Sequence, residues 1–204
     1  MQVLSLRVVE SGRPEEMASR LNAVLPPTVG VAFSRLAGPK FHAAWSSVGK
    51  EYRYRLLLED DPRWDDGAWK VNFDVGLFER ALALVAGTRD FSVFHDSSSA
   101  VRPRTITEAR LVATDGRLEV RLKGDAFGRY MVRQLVGGLV DVASGTCTLE
   151  AFAAALDGTG RLRPTRAPAR GLTLWEVFYP PHDDPFATER GLPSGLPLGP
   201  PFCD

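Results

Sequence analysis

Two cysteines in 204 residues, Cys147 and Cys203, are too few for a disulfide framework, and they do not form a Cys-x-x-Cys pair. A reducing compartment, the cytoplasm, is the expected setting. Only three histidines occur, His42, His95 and His182, and they are scattered without the spacing of a metal site. No glycine-rich loop separates a strand-like from a helix-like stretch, and no Gly-x-Ser-x-Gly elbow is present, which argues against phosphate-cradling nucleotide folds and the common serine hydrolases. No apolar run reaches the length of a membrane span, and the start MQVLSLRVVE lacks the basic opening and long apolar stretch of a secretion signal. Neither a cofactor, a metal nor a membrane partner is expected.

Net charge is also lacking, with 25 Lys and Arg against 25 Asp and Glu. Affinity for nucleic acid comes largely from neutralising phosphates, so a balanced total at first argues against such a partner. The distribution reverses that argument. Residues 95–170 carry twelve basic against eight acidic side chains, whereas residues 171–204 carry one against five. The acidic end hides a basic middle. Within that middle Arg161, Arg163, Arg166 and Arg170 fall in ten residues, a pattern that suits either a phosphate site or a solvated loop.

What is present is an ordinary globular composition, 44% apolar and 25% charged, sufficient for a packed core. Gln2 to Val9 alternates like a half-buried strand, and Pro14, Glu15 and Glu16 then open a helix carrying Met17, Leu21 and Val24. Val29 to Leu36 and Lys50 to Leu58 read as strands. Asp74 is placed to cap a helix over Leu77 to Val85, with Gly87 as its stop. Arg104 to Val112 and Leu118 to Leu122 flank Thr114, Asp115 and Gly116 as a hairpin would. A helix from about Phe127 to Ala143, a short one after Thr148 and a strand over Leu172 to Phe178 complete the order. Paired strands as well as βα alternation give an α+β fold, a largely antiparallel sheet with helices packed on it. Residues 1–179 form the folded portion, and 180–204 is a tail too rich in Pro and Gly for a regular element.

Two segments carry candidate chemistry. In GKEYRYRLL the period of two places Tyr52 and Tyr54 on one strand face and Arg53 and Arg55 on the other. Such a strand suits either a core that uses tyrosines or a platform on which an RNA base stacks beside phosphate-holding groups. In GDAFGRYMVRQLVGGLVDVASG the residues Val132, Leu135, Val136, Leu139 and Val140 make an apolar stripe, with Arg129 and Arg133 one turn apart on its flank. Like charges at that spacing repel, and an anion would relieve them. If Arg133 lies toward the buried side, it needs a partner, most simply a carboxylate. Two exposed arginines on a surface helix are the plain alternative.

In order, FHAAWSSVGKEYRYRLL, RDFSVFH, RPRTITEARL, GDAFGRYMVRQLVGGLVDVASG, RGLTLWEVFYP and LPLGPPFCD resemble the successive motifs of the bacterial tRNA pseudouridine synthase A family. The resemblance implies a pseudouridine-synthase-like fold, tRNA as substrate, uridines 38 to 40 of the anticodon arm as the target region, and a homodimer in which one tRNA spans both subunits. It also implies a reaction without metal or cofactor: an aspartate in an Arg-Thr-Asp-x-Gly-Val-His motif attacks the uridine, the uracil is detached and turned, and a carbon–carbon glycosidic bond replaces the carbon–nitrogen one. By the same resemblance Tyr52 packs against the target base and Arg133 pairs with the catalytic carboxylate, holding it ionised. Lys50, Arg53, Arg129, Arg166 and Arg170 are candidate RNA contacts.

The sequence departs from the family in two places. None of its fourteen aspartates stands in an Arg-Thr-Asp context. Gln2 to Leu6 resembles the strand that follows the catalytic motif, so the nucleophile is expected ahead of Met1, and the chain is expected to be an N-terminally truncated synthase that is inactive as written. Position 44 is alanine where many relatives carry arginine. The competing expectation is a non-catalytic RNA-binding or dimerising protein derived from the same fold. A purely structural oligomerisation module would leave Tyr52 and Arg133 unexplained.

Overall fold

The structure is a computed structural model that describes residues 2–8, 12–64, 66–114 and 116–186. They divide into two compact units, one spanning Val48–Val177 with Gln2, the other Val3–Ser47 with the residues from Phe178 on. Of the tail expected over 180–204, residues 187–204 lie outside the described residues.

The smaller unit holds one helix among the described residues, α1 (Pro14–Asn22). Pro14 occupies the first turn, where its missing N–H costs nothing, and Glu15 and Glu16 suit the positive end of the helix dipole. The Ser34 hydroxyl accepts from the Ala18 N–H at 3.0 Å and donates to the Pro14 carbonyl. The Asn22 amide gives to and takes from the backbone of Val31, at 2.9 and 2.8 Å. Side chains of α1 and its neighbour thus order residues 29–36, and the strand expected there does not form. Nor does the strand expected over Gln2–Val9 form in its described part, residues 2–8. An extended segment needs a neighbour to take its N–H and C=O groups, and alternation alone does not supply one.

The larger unit is built on a six-stranded mixed sheet. Its centre is β1 (Gly49–Leu57), beside which β2 (Trp69–Lys70) runs parallel at Leu56 and Leu57. The rest of the ladder is antiparallel: β3 (Gly87–Arg89) pairs with β4 (Arg104–Thr114), β4 with β5 (Arg117–Gly124), and β5 with β1. The last strand, β6 (Leu172–Phe178), also pairs with β1. The β4–β5 hairpin closes where expected, with Thr114 opposite Arg117 and Gly116 at φ +76°. Helices α2 (Val75–Leu82), α3 (Met131–Ala143) and α4 (Leu149–Leu156) complete the unit. The Asp74 carboxylate accepts from the Leu77 N–H at 2.8 Å, and the Thr148 hydroxyl from the Ala151 N–H at 3.2 Å, so both expected caps are made.

The register of β1 on β5 sorts the sheet into two faces. Tyr52 lies opposite Leu122, Tyr54 opposite Val120 and Leu56 opposite Leu118, and this face joins Phe78, Leu135, Leu139, Phe152 and Leu156 in one hydrophobic core. On the other face Arg53 lies opposite Arg121 and Arg55 opposite Glu119. Directly opposed arginines repel. Glu119, almost fully buried, relieves them by taking Arg121 at 2.7 Å, Arg53 at 3.4 Å and Arg55 at 3.8 Å. The Arg53 guanidinium also stacks 3.4 Å from the centre of the Trp175 ring.

Candidate active site

The tyrosine strand places its two rings at different depths. Tyr54 is fully buried and its hydroxyl donates to the Pro168 carbonyl at 2.7 Å. Burial pushes its phenol far up, against the opposing pull of the Arg133 and Arg170 charges, so the hydroxyl stays protonated and remains a donor. Tyr52, two residues nearer the strand start, is only partly buried and meets the edge of Phe127 at 5.1 Å between ring centres. Burial raises its phenol as well.

Arg133 reaches the same face from α3 through a single tether. Its Nε donates to the Ala167 carbonyl at 2.6 Å, while its own backbone carbonyl accepts from the Ala167 N–H at 3.1 Å. Residues 165–168 therefore lie along α3, and Asp141, about two turns further along it, accepts from the Thr165 N–H at 2.8 Å. This close approach explains a glycine in mid-helix that would otherwise weaken it. A Cβ at Gly137 would fall 1.7 Å from the Thr165 carbonyl oxygen. The carboxylate partner that burial would demand of Arg133 is not found within 4.0 Å among the described residues, and its terminal nitrogens make no hydrogen bond there.

The start of α3 differs from expectation. The helix begins at Met131 and not at Phe127, because Tyr130 takes the left-handed conformation, φ +65° and ψ −1°, which no helix continues. Arg129 therefore lies outside the helix, and it is not one helical turn from Arg133. The two are brought together instead around the Tyr130 ring. The guanidinium carbons of Arg166, Arg129 and Arg133 lie 4.1, 4.9 and 5.6 Å from its centre, and an Arg129 Nη donates to the Tyr130 hydroxyl at 3.0 Å. Arg129 and Arg166 are exposed, as is Arg161, and none of the ring's three arginines has an ion pair among the described residues.

The other sequence candidates lie elsewhere in this unit. Lys50 is half-buried at the start of β1, opposite Gly124. Arg53 is on the far face, engaged by Glu51, Glu119 and Trp175. Arg170 gives its Nε to the Ala68 carbonyl at 2.9 Å and borders an open cavity of about 360 Å³ with Trp64, Lys70 and Asp60. Asp125 accepts from the Thr105 N–H at 2.9 Å, a bond that stitches β4 to the end of β5. Sequence reasoning missed Tyr130 and Asp141. A lone acid on an apolar helix face is a signal that could have found Asp141; nothing in the residue type announces a left-handed tyrosine.

An open α+β sheet with an aromatic strand on its core side, and beside it a tethered arginine and guanidinium groups that have no ion pair among the described residues, is the arrangement of an α+β protein with room for an anionic, aromatic ligand. The family model described as tRNA pseudouridine synthase matches residues 81–180. A tRNA pseudouridine synthase A of Neisseria meningitidis is 36% identical over 183 residues, covering 83% of this chain and 67% of the relative. Those of Geobacillus and Exiguobacterium sibiricum are 32% and 33% identical, covering 87% and 88% of this chain and 75% and 74% of the relatives. The chain belongs to the tRNA pseudouridine synthase A family.

Proposed function

We propose that these residues form the substrate-side part of a cytoplasmic tRNA pseudouridine synthase that isomerises uridines 38 to 40 of the anticodon arm, working as a homodimer. Tyr52 packs against the target base, and Arg133 orients and keeps ionised the nucleophilic aspartate. The observation that carries this reading is the state of Arg133. Its Nε is tethered, its terminal fork has no partner among the described residues, and its charge is felt by the tyrosine face. A planar fork held at one end and free at the other is suited to a bidentate grip on a carboxylate. The aspartate to be gripped is not among these 204 residues in the family's Arg-Thr-Asp setting.

Two consequences are testable. The chain as written makes no pseudouridine on unmodified tRNA in base-specific chemical labelling; a labelled product would require another nucleophile and would refute the assignment. A fusion that supplies an Arg-Thr-Asp-bearing segment ahead of Met1 gains activity, and in it Arg133→Lys lowers the single-turnover rate at least about 100-fold, on the scale of losing an oriented charged contact at the reacting centre, with tRNA affinity nearly unchanged. An unchanged rate with weakened binding would make Arg133 a phosphate contact instead. The reading as a non-catalytic RNA-binding protein is favoured only if the fusion binds tRNA and stays inactive.

A further inference from the structure

Tyr130 combines three features that no packing requirement accounts for. It is the one non-glycine residue with positive φ among the described residues, a conformation that is a genuine outlier for a bulky side chain. Its ring is only partly buried, so it is not anchored as a core residue would be. Three guanidinium groups converge on it within 5.6 Å of its centre, and the two exposed ones have no carboxylate within ion-pair distance among the described residues. Asp96 feels both of them: the Ser98 hydroxyl and backbone hold its carboxyl low, with further help from Arg129 and Arg166.

Three like charges gathered on one ring repel one another, and the ring's electron-rich face offsets only part of that cost. An anion placed among them would relieve that repulsion. The backbone that presents the ring is itself fixed on both sides: the Arg129 N–H is tied to the Ser99 hydroxyl at 2.8 Å, its carbonyl accepts from the Asp96 N–H at 2.9 Å, and the Tyr130 carbonyl accepts from the Gln134 N–H at 3.0 Å.

We propose that Tyr130 is a positioning residue that organises Arg129 and Arg166 into a binding subsite for a phosphodiester of the RNA backbone, next to the Arg133 fork. The inference rests on the tRNA-binding reading above. The ring spares the two arginines much of the freedom they would otherwise lose on contact with RNA, and its loss is read as weaker, less salt-dependent binding.

The test uses the 204-residue chain and an in vitro transcribed tRNA, with affinity measured across a potassium chloride series and thermal stability measured in parallel. Tyr130→Gly removes the ring and relieves the strained backbone. It is expected to raise Tm by about 2–4 °C and yet to weaken tRNA binding about 10-fold. A merely structural tyrosine could not move the two in opposite directions. Tyr130→Phe, which keeps the ring and loses only the bond to Arg129, should retain affinity within about threefold. Arg166→Ala should lower the salt slope by about one. Unaltered affinity and slope in Tyr130→Gly overturn this inference alone, as does equal loss in Tyr130→Phe and Tyr130→Gly. Absence of tRNA binding by the unaltered chain overturns the functional reading and this inference with it.

Discussion

The two units of this chain are stabilised by different physics. Every residue of the hydrophobic core belongs to the larger unit, where apolar side chains of β1, β4 and β5 meet those of the helices. In the smaller unit Tyr179 is the one buried residue among those described, and α1 buries none at all. That unit is held by polar bonds between side chain and backbone: Ser34 and Asn22 on α1, the Ser5 hydroxyl accepting from the Ala43 N–H, and the Tyr179 hydroxyl donating to the Ala43 carbonyl at 2.7 Å. Hydrogen bonds of this kind, exposed or partly buried, are each worth about 0.5–1.5 kcal/mol, whereas burial of one large apolar side chain contributes about 1.5–3 kcal/mol. Stability should therefore be concentrated in the larger unit, with the site it carries.

The sharpest way to confirm that concentration is Gly137→Ala. The added Cβ would collide with the Thr165 carbonyl of the segment that tethers Arg133. Backbone meets backbone here, so neither side can rotate away, and a loss of about 3 kcal/mol is expected, near the upper end for overpacking. Urea denaturation measures it. A loss below about 1 kcal/mol would show that residues 165–168 are free to lift off α3, and would dissolve the proposed tether.

Next in size is Glu119→Ala. Three arginines share this carboxylate on the face of the sheet away from the core. Arg55 already feels its burial, which pulls its pKa down while Glu119 opposes that shift. Because Arg53 and Arg121 retain some solvent, a loss of about 2–3 kcal/mol is expected, below that for a fully buried pair. Glu119→Gln, which keeps an acceptor without the charge, should lose about half as much. Equal stability in the alanine variant would mean that Trp175 and water carry the arginines, and that this face contributes no more than the smaller unit does.

The same division explains how much could be read from residues alone. The elements of the larger unit were legible because cap, period and turn agree: Asp74 and Thr148 cap the helices they precede, Gly116 turns the hairpin, and the tyrosines of β1 face the core together. In the smaller unit the alternation of Gln2–Val9 and the apolar content of Val29–Leu36 suggested strands, but strand formation depends on a neighbour that no local pattern encodes. At the site, Tyr52 and Arg133 were singled out by pattern and resemblance. The tether to Ala167 and the Asp141 bond to Thr165 were not, because each joins segments distant in sequence through a backbone atom, and the ring of arginines on Tyr130 was not, because it depends on a left-handed residue and on Arg166 arriving from another segment.

The smallest expected effect tests the smaller unit where it looks weakest. Leu4, Leu6 and Val8 are 78, 63 and 55% exposed on alternate positions of one segment that forms no strand in its described part. Apolar side chains already in water lose nothing by being replaced, so Leu4→Ser with Leu6→Ser should shift unfolding free energy by no more than about 0.5 kcal/mol. Solubility should respond more than stability, since an extended apolar face with unpaired backbone groups is a site for association between chains. Light scattering of the unaltered chain is expected to show aggregates that the double variant reduces. If the unaltered chain is instead monodisperse and the double variant loses more than about 1 kcal/mol, these leucines are covered in solution. The contrast between the two units would then reflect an uncovered face and not a weaker fold.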